Sequence, residues 1–204
     1  MAQDAAIRCK CGKVEGIARG LSAASTNHLL CSCKGCQSYA HYLGRTEDML
    51  DENGGSNIFQ MNPEKFEITK GMEHVAGMRV TREGPARWFT SCCNTPLGNT
   101  FPRGGIPFLG VLPICLGHKG TSQAVVDLVG PIRGHTNRME PTPFFDKVGN
   151  FFMIMGLLLK IMKWRISGGR SYKPFFDKET MKPLVKPTVI SDEEREALEA
   201  KAGF

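Results

Sequence analysis

Along the first half of the chain, apolar and polar side chains alternate over short stretches. Residues 65–69, Lys-Phe-Glu-Ile-Thr, repeat with period two, the signature of a strand with one buried face. Short stretches at 13–17, 29–31, 58–61, 78–81 and 86–90 predict further strands. Turn signals such as Asn53-Gly54-Gly55 and Glu83-Gly84-Pro85 separate them. The 23 glycines and 12 prolines fit many short strands joined by turns better than a helical bundle. A mainly β fold is expected.

The pattern changes near Pro141. From 148 to 164 the apolar positions Val148, Phe151, Phe152, Met155, Leu158, Leu159 and Met162 recur at steps of three and four, one face of an α-helix. A second stripe, Ile154, Leu157, Ile161 and Trp164, makes this helix apolar nearly all round. Its longest apolar run, 151–159, is roughly 14 Å of helix, about half of a bilayer's hydrocarbon thickness, too short to span a membrane. The helix is expected to pack on the strand domain or on a second subunit of a homo-oligomer, in preference to lying at a membrane surface. Further on, Ser191 followed three residues later by Glu194 marks an N-cap and a short acidic helix to about Ala200. The expected organisation is a strand domain over 1–140 and a helical, basic extension over 141–204 packed on it.

Composition adds the size and the charge. With 204 residues, 41% hydrophobic and 23% charged, the chain can bury an ordinary globular core. Its net charge of +6 is matched by residues 160–187 alone, which hold eight basic side chains against Asp177 and Glu179. Such a patch favours an acidic partner. No nucleic-acid module is recognisable, so a small anionic molecule is expected rather than nucleic acid.

Cysteine placement carries the chemistry. Seven of the eight cysteines fall into three clusters: Cys9-Lys-Cys11-Gly12, Cys31-Ser-Cys33-Lys-Gly-Cys36 and the vicinal pair Cys92-Cys93. Thiols one or two residues apart on a Gly-containing turn aim several sulfurs at one point, as zinc requires, whereas disulfide geometry fits such spacing poorly. Cys115, alone in an apolar stretch, reads as a buried small hydrophobe. The N-terminus has no apolar core that could serve as a secretory signal, so a reducing cytoplasmic setting is expected. Cys31, Cys33 and Cys36 supply three thiolates and no obvious fourth ligand, which leaves a coordination position open, the mark of a catalytic zinc. His28 could complete the set only if its strand bent. Ser38, Tyr39, His41 and Tyr42 follow the knuckle closely, and His41 is the first choice for a proton-transfer or supporting group.

The order of motifs resembles the glutathione-dependent formaldehyde-activating enzymes and the related centromere protein V group. That family has Cys-x-Cys-Gly, then Cys-x-Cys-x-x-Cys, then Arg-x-Phe leading into Cys-x-x-Cys-Gly and Pro-Leu. Here these stand as Cys9-Lys-Cys11-Gly12, Cys31-Ser-Cys33-Lys-Gly-Cys36, Arg87-Trp-Phe89 and Cys93-Asn-Thr-Pro-Leu97, over about residues 7–115.

The resemblance implies a zinc-binding β-tent of short antiparallel strands with two zinc sites. A structural zinc would call on Cys9, Cys11 and Cys93, with Thr90 in the place of the family's remaining cysteine and Cys92 as a substitute ligand if the backbone turns sharply between the vicinal pair. A catalytic zinc at Cys31, Cys33 and Cys36 would serve the making and breaking of a carbon–sulfur bond in a glutathione-like thiol adduct of formaldehyde. The expected function is thus a zinc-dependent carbon–sulfur lyase. The alternative is a non-catalytic zinc module that binds a protein or membrane-surface partner through its apolar helix.

Overall fold

The computed structural model describes residues 1–118, 122–136, 144–168 and 172–204. The expected boundary at 140/141 lies outside the described residues. In chain order the strands are β1 (Gln3–Arg8), β2 (Glu15–Leu21), β3 (Asn27–Cys31), β4 (Ser56–Met61), β5 (Phe66–Lys70), β6 (Val75–Arg79), β7 (Ala86–Thr90), β8 (Thr95–Thr100), β9 (Leu109–Val111), β10 (His135–Thr136) and β11 (Thr188–Val189). The helices are α1 (Lys34–Leu43), α2 (Thr46–Met49), α3 (Gln123–Val129), α4 (Phe144–Gly168) and α5 (Asp192–Lys201). Among the described residues the strands form two sheets, β1-β2-β5 and β10-β3-β4-β9-β8-β7-β6-β11, and no closed barrel. The protein is mainly β.

Hydrophobic cores lie on both faces of the larger sheet. On one face Phe59, Trp88, Leu97 and Leu109 meet Ile7 and Phe66 of the smaller sheet and Val125 of α3. On the other, Met78, Phe89 and Leu112 meet Tyr39 and Leu43 of α1 and Leu198 of α5. Strands covered on both faces lose the alternation of a half-exposed strand, and β7 and β8 are buried at every position.

Most strands pair antiparallel, as expected, and two edge strands add parallel pairs. β10 lies parallel to β3, and β11 lies parallel to β6. Both arrive from far along the chain through intervening helices, the connection that parallel pairing needs, and a tight hairpin cannot supply it.

The C-terminal segment is built into the fold. Phe175 stacks on Trp88 with ring centroids 4.6 Å apart and an interplanar angle of 5°, and both rings are fully buried. Ser191 caps α5 as its motif predicts, accepting the Glu194 N–H at 3.1 Å.

Helix α4 lies over the edge where β3 meets β10. Its Asn150 accepts from the His135 backbone N–H at 3.1 Å and donates to the His135 carbonyl at 2.8 Å. Lys160 donates to the Thr26 carbonyl, and Arg165 donates to the Gly105 carbonyl at 3.1 Å. Met153 on the inner face is buried, whereas Phe151, Phe152, Leu159 and Met162 on the outer face are exposed. Among the described residues no helix is long and apolar enough to cross a membrane.

Candidate metal centre

All eight cysteines carry thiols rather than disulfides. Cys31 ends β3, Cys33 is the N-cap of α1, and Cys36 lies in its first turn. The Cys33 Sγ accepts the Cys36 N–H at 3.4 Å, so the capping bond that starts the helix also folds the knuckle. The Sγ atoms of Cys31, Cys33 and Cys36 lie within 4.8 Å of one another. A tetrahedral zinc with arms near 2.3 Å has sulfur–sulfur edges of about 3.8 Å, so this donor set fits such an ion. No fourth His, Cys, Asp or Glu joins the group among the described residues.

Arg87 comes to this cluster from β7. Alternation along the strand turns Trp88 into the main core and Arg87 to the opposite face. There Arg87 Nη1 donates to Cys36 Sγ at 3.7 Å and to Asn99 Oδ1 at 3.4 Å, and its guanidinium sits over the Tyr39 ring. The side chain is buried, and its Nε has no hydrogen-bond partner among the described residues. Close approach also explains Gly35: a Cβ there would stand 2.7 Å from Arg87 Nη2.

Electrostatics follow from this crowding. Hydrogen bonds from Cys33 and then Cys36 hold the Cys31 thiol far below its ordinary pKa. The same contact with Cys31 raises Cys33, and contacts with Cys31 and Cys33 raise Cys36. Burial opposes the charge of Arg87, but the sulfurs of Cys36 and Cys33 outweigh it and raise the guanidinium's pKa. Three converging sulfurs with a buried cation beside them form a donor set that suits a metal ion, whose binding would displace the thiol protons.

A cavity of about 520 Å³ opens beside the three sulfurs. Leu29 and Ile58 line it from β3 and β4, Phe101 and Phe108 from the loop between β8 and β9, and Met153, Ile154 and Leu157 from the inner face of α4. Among the described residues its charged lining side chains are Arg87 and Glu83.

The other cysteines meet near the C-terminal end of α1, where Asn94 donates to the Leu43 carbonyl at 3.3 Å. The Sγ atoms of Cys9, Cys11, Cys92 and Cys93 all lie within 4.8 Å of one another. Cys11 and Cys92 are 3.3 Å apart, Cys9 and Cys11 3.6 Å, Cys9 and Cys92 3.9 Å, and Cys92 and Cys93 3.8 Å. The vicinal pair converges because the chain turns over 91–94, with Asn94 in the left-handed region at φ 52° and its N–H on the Thr90 carbonyl. Thr90, in the place of the family's cysteine, sits with Thr95 beside Cys93 Sγ, at 3.4 and 3.2 Å. Burial raises the Cys93 thiol, but these hydroxyls outweigh it and bring it down to about 5. Burial and the Cys11 contact push Cys92 up to about 12. Four sulfurs in this arrangement suit a closed, structural metal site.

The residues proposed to assist the knuckle lie elsewhere. His41 is on α1 but outside the cavity lining; five residues after Cys36, it falls on another face of the helix. Tyr39 points its hydroxyl to the Trp88 carbonyl at 2.8 Å, and Ser38 is fully buried in α1. His28 is no fourth ligand, because its ring nitrogens are held at 2.6 Å by the Gly130 carbonyl and at 2.8 Å by Asn57 Oδ1. Cys115 is buried in the core as expected. Sequence reasoning gave no role to Arg87, although Arg87-Trp-Phe89 was among the motifs carrying the resemblance.

Fold and site together define a mainly β protein with one closed and one open cysteine cluster, each able to hold a metal ion. The chain belongs to the family described as "Family of unknown function (DUF6151)", whose model matches residues 1–170. It is similar to the crystal structure of a Rhodobacter sphaeroides protein, a Northeast Structural Genomics target, at 14% identity and a TM-score of 0.37, over 62% of this chain and 97% of that one. No curated protein matches the chain.

Proposed function

We propose that the protein is a cytoplasmic, zinc-dependent carbon–sulfur lyase acting on the adduct of a thiol with a small aldehyde, and a divergent relative of the glutathione-dependent formaldehyde-activating enzymes. The observation that carries this reading is the opening of the three-sulfur cluster onto the cavity beside Arg87. Zinc at Cys31, Cys33 and Cys36 would hold a sulfur as thiolate at neutral pH and polarise the adduct's oxygen. Cleavage breaks the carbon–sulfur bond, leaves the electron pair on sulfur, and makes the aldehyde carbonyl as the hydroxyl loses its proton.

The chain's own groups support that step. Three thiolates leave a divalent ion with a formal charge of −1, and the Arg87 guanidinium at Cys36 withdraws part of that charge. Asn99 holds Arg87 in place. Glu83, exposed in the lining, is the carboxylate suited to take the hydroxyl proton. Met153 and Leu157, with Ile154 at the rim, form an apolar wall beside the sulfurs.

The test follows exchange between a thiol–formaldehyde adduct and its components by NMR. Saturable acceleration that disappears in Cys36→Ser supports the lyase. A rate equal to the uncatalysed exchange in a metal-replete, folded protein contradicts it.

A second reading, a non-catalytic zinc module that packs against another copy of the chain, draws on the outer face of α4. Phe151, Phe152, Leu159 and Met162 are each more than half exposed there, an apolar patch of the kind that marks interaction surfaces. Light scattering would favour it if the protein were a dimer that Phe152→Ser with Leu159→Ser makes monomeric, with no adduct turnover in either form.

A further inference from the structure

The walls of the cavity say what kind of chain the adduct carries, an inference that rests on the cavity being a thiol-adduct site. Leu29, Ile58, Phe101, Phe108, Met153 and Leu157 present hydrocarbon to its interior. Against them stand, among the described residues, two charged groups, Arg87 and Glu83. Arg87 already donates to Cys36 and Asn99 and lies over Tyr39. A peptide-like thiol such as glutathione brings two carboxylates and an ammonium. Those carboxylates would meet a mainly apolar wall with four uncharged polar side chains (Gln60, Asn99, Thr100 and Thr136), one cation whose Nη1 is already taken by Cys36 and Asn99, and the like charge of Glu83, and burying charge that is not fully paired is unfavourable. Hydrocarbon gains from the same walls by leaving water.

We propose that this cavity takes a thiol, or its aldehyde adduct, bearing an uncharged alkyl or aryl chain. The sulfur points to Cys31, Cys33 and Cys36, and the chain lies between the β3–β4 floor and the α4 roof. The small anionic thiol expected from the basic segment at 160–187 is replaced in this proposal, because among the described residues no basic side chain of that segment lines the cavity. Met153 in the roof has a flexible, unbranched side chain that can adapt to chains of different shape.

The test measures binding of ethanethiol, butanethiol, hexanethiol and glutathione to the protein as purified, by titration calorimetry. Affinity should rise roughly fourfold for each added methylene, and glutathione should bind more weakly than butanethiol. Leu157→Asn should weaken hexanethiol several-fold more than it weakens ethanethiol, flattening the rise along the alkyl series. That pattern supports the inference even if no adduct is turned over, an outcome that removes the lyase reading alone. Equal affinities along the alkyl series, or glutathione as the tightest ligand, would overturn it even in an active lyase.

Discussion

Arg87 and Cys36 are joined at the base of the cavity, with Nη1 of the guanidinium 3.7 Å from Sγ on a side chain only 4% exposed. The contact couples a fixed positive charge to a sulfur of the open cluster. Arg87→Met keeps much of the side chain's bulk and removes the charge. A hydrogen bond to a charged group contributes enough that adduct turnover should fall roughly ten- to hundredfold, with metal content unchanged by elemental analysis. Arg87→Lys should not restore it, since an ammonium lacks the planar fork that reaches both Cys36 and Asn99.

Gly35→Ala tests the same contact from the other side. The added Cβ would meet Nη2 at 2.7 Å, so Arg87 must shift away from Cys36. Turnover should fall in the same direction as in Arg87→Met, and melting temperature should change little. Full activity in this variant would show that the position of the guanidinium does not matter.

The two clusters should separate by mutation. Cys11→Ser opens the closed four-sulfur group and should lower the unfolding midpoint and release a metal equivalent. Cys36→Ser should abolish turnover with a much smaller loss of stability, because an open site contributes less to folding than a closed one. Denaturation curves alongside metal analysis check both. Equal destabilisation by the two substitutions would mean that the knuckle is structural too.

Phe175→Ala removes the ring stacked on Trp88 at 4.6 Å. Truncating a buried phenylalanine costs about 3–5 kcal/mol, which urea denaturation should register. A chain ending at Gly168 should be destabilised more, because it also loses β11 and α5 from the fold. If that truncated chain melts like the whole protein, the last segment is an appendage.

The expected strands at 29–31, 58–61, 65–69 and 86–90 coincide with β3, β4, β5 and β7, whereas those at 13–17 and 78–81 overlap only the ends of β2 and β6; α4 and the Ser191 cap were legible too. β8 was not, because Pro96 breaks the expected pattern. It is tolerated where the register shifts between Trp88 and Phe89, a bulge that does not need its missing N–H. β1 is hidden by polar and alanine residues, and β10 and β11 span two residues each. The Cys31, Cys33 and Cys36 group could be read from spacing, whereas the joining of Cys9 and Cys11 with the vicinal pair came only from the family resemblance, and the convergence of Cys92 and Cys93 depends on a left-handed turn at Asn94 that spacing does not encode. Arg87 and the α4 roof belong to the site only through pairing across the sheet and over its edge. Local sequence carries no signal for such contacts, and His41, chosen for closeness in sequence, lies off the cavity for the same reason.

The central claim is that Cys31, Cys33 and Cys36 hold a metal ion with an exchangeable fourth position. X-ray absorption at the zinc edge, on protein as purified and then saturated with butanethiol, tests it most directly. The account predicts one ion per cysteine cluster, an average sulfur count below four that rises towards four when thiol is added, and no such rise in Cys36→Ser. An ion at the four-sulfur group alone, or a spectrum that thiol does not change, would contradict it.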